Sequence, residues 1–424
     1  MTTIDIDQTL LTQAKAAKAA ARKLAGLSTP VKNRALEAIA DALVKRQDEI
    51  LAANQQDVER ARDAGLADAP LNRLKLTSEK IAGIAADVRN VASLPDPVGE
   101  VLDGWRLPNG LLVSRRRVPL GVLAAIFESR PNVTIDVAAL TLKSGNACIL
   151  RGGSEAIRSN TVLARIAVEA ETAAGVPEGA LQFIESTDRA RVAEMLTLSE
   201  YIDLVVPRGG AELIRFVAEN ARMPVLTGGV GVCHTYIDES ADLEKAVAIA
   251  VNAKTRNWSI CNALDTLIVH EGAAGAFLPR VASAMAEKGV ELRADDRALA
   301  AAGGAANAVP AADDDFGHEF LGPVAAVRVV SSFDEALDHI ARYSTGHSDA
   351  IVTENVTNAK RFTDEVDTAV VYVNASTQFT DGGQFGLGAE IIDSTQKTVA
   401  RGPVGLREIT TYKWIVQGEG QTRP

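Results

Sequence analysis

The chain reads as an α/β protein of two domains, each built on a parallel sheet, with a short hairpin and a C-terminal tail standing apart from both. Two observations predict this. From Gly121 onward, short apolar runs alternate with helical stretches at the spacing of βαβ units, in two series separated by the glycine-rich Gly228-Gly229-Val230-Gly231. At 424 residues the chain is also long enough for two domains that each bury a core.

The elements follow in order. Residues 8–25 are rich in Ala and Lys, and 30–62 place Leu36, Ile39, Ala40, Leu43, Val44, Ile50 and Leu51 at helical spacing, with Pro30 suited to a first helical turn. A further helix over 78–94 stops before Pro95-Asp96-Pro97 and completes an N-terminal helical layer. Residues 101–118 are two extended runs around the turn Pro108-Asn109-Gly110. The first α/β series places strands over 121–127, 147–150, 181–184, 204–206 and 224–226, with helices over 133–143, 154–173, 188–196 and 210–221. The second places strands over 233–237, 266–269, 324–330, 350–353 and 369–373, with helices over 241–253, 274–288, 333–343 and 356–366. Residues 299–312, mostly Ala and Gly, read as a flexible or variable surface loop. The tail, 410–416, is apolar and aromatic; it and the hairpin are suited to pair with another subunit or to fold back on their own domain.

Composition excludes several classes. The hydrophobic fraction of 47% and charged fraction of 23% are those of an ordinary soluble protein, and the net charge of −11 argues against a general attraction to nucleic acid or anionic membrane. The triplet Arg115-Arg116-Arg117 therefore reads as a solvated or interface strand face. Three scattered cysteines and five scattered histidines form no CxxC or HExxH spacing, so no metal site is expected. The acidic start lacks a signal-peptide pattern and no run approaches a membrane span, which makes a cytoplasmic location the expectation.

Chemistry concentrates in a few loops. Cys261 lies between a cation-bearing loop that starts at Lys254 and Arg256 and an apolar strand, and nearby cations favour a thiolate. Cys148 sits inside a buried run and reads as packing. Cys233 has His234 beside it as a candidate base, yet lacks the cations. Two loops, Arg151-Gly152-Gly153-Ser154 and Arg208-Gly209-Gly210, each leave a strand and enter a helix, where backbone amides approach phosphate closely; at neighbouring strand ends they point to a nucleotide crevice. Each is also an ordinary tight turn. After strand 121–127 comes Arg130-Pro131-Asn132, where Asn132 is either a helix cap or an amide donor to a developing oxyanion. Glu319, ahead of Gly322-Pro323, can hold ribose hydroxyls, but taken singly it is ordinary loop chemistry.

Taken together, VPLGVLAAIFESRPNVT (118–134), TLKSGNACILRGGSEA (141–156), KTRNWSICNALDTLIVHE (254–271), VNASTQFTDGGQFGLGAE (373–390), STQK (394–397) and ARGPVGLREITTYKWI (400–415) resemble the aldehyde dehydrogenase superfamily. More narrowly, they resemble the branch that reduces L-glutamyl 5-phosphate to glutamate 5-semialdehyde on the way to proline. The resemblance implies an aldehyde dehydrogenase-like fold: an NADP-binding domain over 1–100 and 119–229, a catalytic cysteine domain over 230–370, a return segment over 371–395, and an oligomerisation hairpin and tail over 101–118 and 396–424. It makes Cys261 the catalytic thiol and Asn132 the oxyanion donor. Arg151, Gly152, Gly153, Ser154, Arg208, Gly209 and Glu319 become the cofactor-binding set. Ser154 stands where NAD-preferring members have a ribose-binding glutamate, which favours NADP(H). Lys254, Arg256 and Arg130 are the candidates for holding substrate, although 256–259 departs from the family's Gln-Arg-Pro-Ser. Leu226 stands where hydrolytic members carry a water-activating glutamate, as suits an enzyme that must preserve a thioester. A homo-oligomer and a contact with glutamate 5-kinase are further implications. The alternatives are a related enzyme acting on another acyl donor or aldehyde, and a non-catalytic small-molecule binding protein.

Overall fold

The computed structural model describes residues 6–423, and among these the chain forms a four-stranded and a seven-stranded parallel sheet, a three-stranded antiparallel one and a two-stranded one. Two compact units divide it. The first takes the described residues through Thr227, with Gly386–Ile392 and the chain from Thr398 onward; the second takes Gly228–Phe385 and Asp393–Lys397.

In the first unit, helices Gln8–Leu24, Thr29–Lys45, Gln47–Asp63 and Ser78–Ser93 bury apolar faces that share one core with the sheet. The apolar period over 30–62 is broken once, at Arg46, whose backbone leaves the helical region while its guanidinium bonds Glu49 and Glu169. The parallel strands are β1 (Val122–Phe127), β2 (Ala147–Gly152), β3 (Leu181–Phe183) and β4 (Leu204–Arg208), in spatial order β3-β2-β1-β4. Every residue of β1 and β2 is buried, as in a parallel sheet covered on both faces. The strand expected over 224–226 is corrected to a single bridge between Val225 and Val205. Pro224 has no N–H to extend the ladder, and Thr227-Gly228 ends the run.

The hairpin strands Val101–Arg106 and Leu112–Pro119 pair antiparallel, and the tail strand Thr410–Gln417 adds to the second of them. Arg115 bonds Asp103 and lies over the rings of Tyr412 and Trp414, at 5.0 and 5.5 Å to their centroids. Arg117 donates to the Arg407 carbonyl and the Thr410 hydroxyl. Arg115 thus meets neighbours on its own sheet, while Arg116, between it and Arg117, is exposed.

The second unit has β5 (Cys233–Ile237), β6 (Leu264–His270), β7 (Glu291–Ala294), β8 (Ala308–Pro310), β9 (Val324–Val330), β10 (Ser348–Val352) and β11 (Val370–Val373), in order β8-β7-β9-β6-β5-β10-β11. The loop expected over 299–312 is corrected: helix Asp296–Ala301 runs into it and β8 pairs with β7. Alanine and glycine give no readable period, but Asp295 caps the helix on Ala298 N–H and the Asn307 amide anchors the turn on the Ala282 and Val290 carbonyls. The stretch 371–395 is divided. Its first part stays with the second unit, because β11 pairs with β10 and the turn Thr377–Phe379 bonds the Asn262 and Ala253 carbonyls; Gly386–Ile392 belongs to the first unit. Among the described residues, no helix is long and apolar enough to cross a membrane.

Candidate active site

The first unit sets its polar loops at the carboxyl ends of its strands. The chain lays down β1, adds β2 and β3 on one side, then places β4 on the other, so the order reverses between β1 and β4. Parallel sheets hold ligands outside the carboxyl ends at such a reversal. The two glycine loops do not follow neighbouring strands, a correction to the sequence expectation: β1 lies between β2 and β4, and its own loop, 128–132, stands between theirs.

Two carboxylates tie these loops together. Glu155 accepts from the Ser129 N–H and hydroxyl at 2.5 and 2.9 Å, and Glu128 accepts from the Gly210 N–H at 3.0 Å. Ser129 makes its double contact from a left-handed backbone, φ 46°. Glycine lets both carboxylates approach this closely, since a Cβ at 153 would displace Glu155 and one at 209 would displace Glu128.

Arg151 is buried at the end of β2, next to Gly152 and Gly153. Its Nη2 donates to the Thr187 carbonyl at 3.3 Å, its Nε has no hydrogen-bond partner among the described residues, and burial pulls its pKa below the usual arginine value. A desolvated guanidinium with an unmet donor suits an anionic or hydroxyl ligand. Ser154 is exposed on the next short turn, and its carbonyl is taken by Arg60. Arg208 closes β4 ahead of Gly209.

The expected cap at Asn132 is corrected. Pro131 occupies the cap position, and Asn132 is the first residue of helix Asn132–Lys143. Its amide donates instead to Asp136 Oδ2 at 2.8 Å, one turn along. Burial pushes the Asp136 carboxyl up to about 6, against the pull of Arg208, the Asn132 amide and Arg130. Asp136 therefore orients the Asn132 amide, a role that the i, i+4 spacing carried and the sequence reading missed.

The second unit carries Cys261 in the loop between helix Leu243–Thr255 and β6, half-buried. Its backbone is clamped: the Cys261 carbonyl accepts from the Cys233 thiol at 3.2 Å, and a Cβ at Gly231 would collide with the same carbonyl. Around it, the Asn262 amide donates to the Thr380 carbonyl, Thr377 donates to the Asn262 carbonyl, and Gln378 bonds the Ala253 and Asn257 carbonyls. Arg256 Nε is held by Gln378 Oε1 at 2.8 Å.

The three cysteines differ in exposure. Cys148 and Cys233 are buried, and burial pushes the first up to about 12 and the second well above the normal thiol range. His234, the candidate base for Cys233, is paired with Asp349 at 2.9 Å, both fully buried. Lys254 does not serve the sulfur as expected. Lys254 is fully buried with its ammonium 3.6 Å from Asp265 and 5.7 Å from the Phe320 ring; burial lowers its pKa and pushes Asp265 up to about 6. Its charge is therefore committed to a neighbouring carboxylate. Glu319 accepts from the Gly231 N–H at 2.9 Å, and burial raises its pKa.

Two residues near the thiol were not anticipated. A ring nitrogen of His347, the Cys261 Sγ and a carboxylate oxygen of Asp393 all lie within 4.8 Å of one another. His347 is 2% exposed, with Nδ1 2.9 Å from the Ser348 hydroxyl, which in turn reaches Thr380 and through it Tyr372. Burial pulls its pKa down to about 4. Nothing in the sequence near His347 points to a thiol, because the fold alone brings the two together.

The model of the aldehyde dehydrogenase family matches residues 6–302 and 306–415, and the chain belongs to that family of oxidoreductases. Within it, the chain is 54% identical to the γ-glutamyl phosphate reductase of Dehalococcoides mccartyi over 413 residues, 97% of each protein. It is 52% identical to the enzyme of the same name from Halothermothrix orenii, covering 99% of this chain and all of that one. The crystal structure of γ-glutamyl phosphate reductase from Thermotoga maritima superposes with a TM-score of 0.95 at 49% identity, over 98% of this chain and 100% of that one. Family and reductase names together imply a nicotinamide cofactor. The unmet Nε of Arg151, beside glycine loops at the reversal point of a parallel sheet, fits one.

Proposed function

We propose that this chain reduces L-glutamyl 5-phosphate to L-glutamate 5-semialdehyde and phosphate in proline biosynthesis, with NADPH as reductant and a thioester on Cys261 as intermediate. The observation that carries the reading is the 54% identity, over 97% of the chain, to a protein named for this reaction. Cys261, the partly exposed thiol among the described residues, supplies the nucleophile it needs.

The Cys261 sulfur attacks the acyl carbon, the S–C bond forms, the C–O bond to phosphate breaks and phosphate leaves with the electron pair. Asn132, its amide fixed by Asp136, is the donor to the oxyanion. When bound, the reduced nicotinamide supplies hydride to the thioester carbon. Breaking the C–S bond then releases the aldehyde and returns the thiolate. Leu226, fully buried, offers no carboxylate to activate water against the thioester.

Arg151, Gly152, Gly153, Arg208 and Gly209 hold the cofactor's phosphates and adenosine ribose, and Glu319 the nicotinamide ribose. Ser154, bringing no negative charge, admits a 2′-phosphate and sets NADP(H) over NAD(H). Arg130 and Arg256 hold the substrate's anionic groups, while Lys254 acts from beneath the loop through Asp265. The hairpin and tail, with Trp105, Tyr412 and Trp414 exposed, form the surface of a homo-oligomer. A contact with glutamate 5-kinase would spare a labile acyl phosphate from water, and the location is cytoplasmic. The test is to mix protein with NADP+, phosphate and glutamate semialdehyde and follow the absorbance of reduced nicotinamide. Reduction that proceeds equally well without phosphate would sink the reading.

A further inference from the structure

We infer that Cys261, His347 and Asp393 form a binding site for a thiophilic divalent cation of the Zn2+ class, one that caps the nucleophile reversibly. The three donors come from separate parts of the second unit: the loop ahead of β6, the residue ahead of β10, and the segment Asp393–Lys397. Their ligand atoms lie within 4.8 Å of one another, close enough for small side-chain rotations to bring all three onto one ion at ordinary Zn–S, Zn–N and Zn–O lengths. The donor set is specific in kind. Thiolate with imidazole and carboxylate selects zinc-like ions, whereas magnesium and calcium prefer oxygen alone.

An independent observation points the same way. His347 is almost completely buried, yet its Nε2 has no hydrogen-bond partner among the described residues. A buried polar atom left unmet carries a cost that a ligand would remove. Its other nitrogen, Nδ1, is already placed on the Ser348 hydroxyl, the arrangement by which a metal-ligating histidine is fixed through its second nitrogen. The absence of a zinc motif in the sequence does not bear on this site, because no two of its ligands share a local segment.

Binding replaces the thiol proton: the S–H bond breaks, the sulfur keeps the pair and donates it to the ion, and the proton leaves to solvent. The inference rests on the proposed function only for its consequence, which is that an ion on Cys261 blocks attack on the acyl phosphate and inhibits reversibly.

The experiment uses full-length protein stripped of metal. Zn2+ is titrated against a chromogenic chelator while iodoacetamide alkylation of Cys261 is followed by peptide mass. One Zn2+ per chain should bind and slow alkylation, EDTA should restore it, and Mg2+ should do neither. His347→Asn and Asp393→Asn should each weaken Zn2+ binding by about tenfold or more. Wild-type affinity in His347→Asn, or zinc that binds without protecting Cys261, would overturn the inference; if His347→Asn does not fold, Asp393→Asn, at a half-buried position on the short strand Asp393–Ser394, decides alone by the same criterion. Neither readout uses substrate. Lost protection with intact phosphate-dependent reductase activity therefore removes the metal site and leaves the function, and the reverse result removes the function and leaves the site.

Discussion

The two units handle polar groups in opposite ways. In the first, the loops that leave β1, β2 and β4 are joined by Glu128 and Glu155 through backbone N–H groups, and Ser154, Gly209 and Gly210 stay exposed. In the second, the residues around Cys261 are drawn inward: Lys254, Asp265, Asn262 and His347 are all buried, and the sulfur-bearing loop is clamped by Gln378, Thr377 and Thr380. A surface that holds a large anionic cofactor needs open backbone amides and cations. A nucleophile needs a fixed position and surroundings that exclude competing water. On the proposed reading the difference separates a platform for binding from a platform for chemistry, and the substitutions at Cys261, Asn132 and Ser154 test that division.

The largest effect belongs to Cys261→Ser. Turnover should fall by at least about 10³-fold, while NADPH binding, followed by nicotinamide fluorescence, stays near the wild-type value. A variant that lost binding together with turnover would erase the division between the units. Asn132→Ala tests it from the other side, since Asn132 sits on the binding platform but is assigned to the chemistry. The expected loss is about 10²–10³-fold in kcat with KM little altered. A change confined to KM would return Asn132 to a positioning role for ligand alone.

How much of this could be read in the sequence follows the same division. The frame of the first unit was legible because the βαβ alternation placed β1, β2 and β4 within a residue or two, while its glycine-arginine loops read equally well as tight turns. What was missed there was order in space: that β1 stands between the two glycine loops depends on sheet topology, which no local pattern encodes. In the second unit the sequence singled out the cysteine that the fold leaves partly exposed, but showed nothing of its setting. Lys254 looked like a cation offered to sulfur because it lies nearby in the chain, yet its charge meets Asp265 on the next strand. His347 and Asp393 reach the thiol only through the fold. The break at Arg46 and the ordered segment around β8 were hidden for a simpler reason, since continuous helical spacing and an Ala/Gly run look the same with or without such details.

Buried acids sharpen the comparison further. Asp265 has Lys254 beside it, whereas Glu171, 3% exposed in helix Ile157–Ala173, is raised to about 8 by burial with only the Leu181 backbone pulling the other way. The folded first unit thus holds this proton more tightly than the unfolded chain does. Its contribution to stability is fully present below about pH 4.5, the unfolded value, and is lost as pH rises through about 8. At about 1.4 kcal/mol per pKa unit the loss is about 3 kcal/mol by pH 7. Glu171→Gln, which keeps the shape and removes the titration, should flatten that decline in thermal melts between pH 5 and 8. An unchanged slope would mean that the proton is not held there.

The smallest effect is the most selective. Ser154→Glu places a carboxylate on the exposed turn after β2, where the proposed reading puts the 2′-phosphate of the cofactor. Like charges at that range repel by a few kcal/mol at an effective dielectric of 20, but the position is open to solvent and screened by salt. Arg60, already donating to the Ser154 carbonyl, also stands ready to neutralise part of the new charge. The net shift should therefore be modest, about tenfold in the ratio of kcat/KM for NADPH over NADH, or about 1.4 kcal/mol. Because the change touches the binding platform alone, kcat at saturating NADH should match the wild type. Equal weakening of both cofactors would place the 2′-phosphate elsewhere, and a fall in kcat with NADH would show that this turn reaches the chemistry after all.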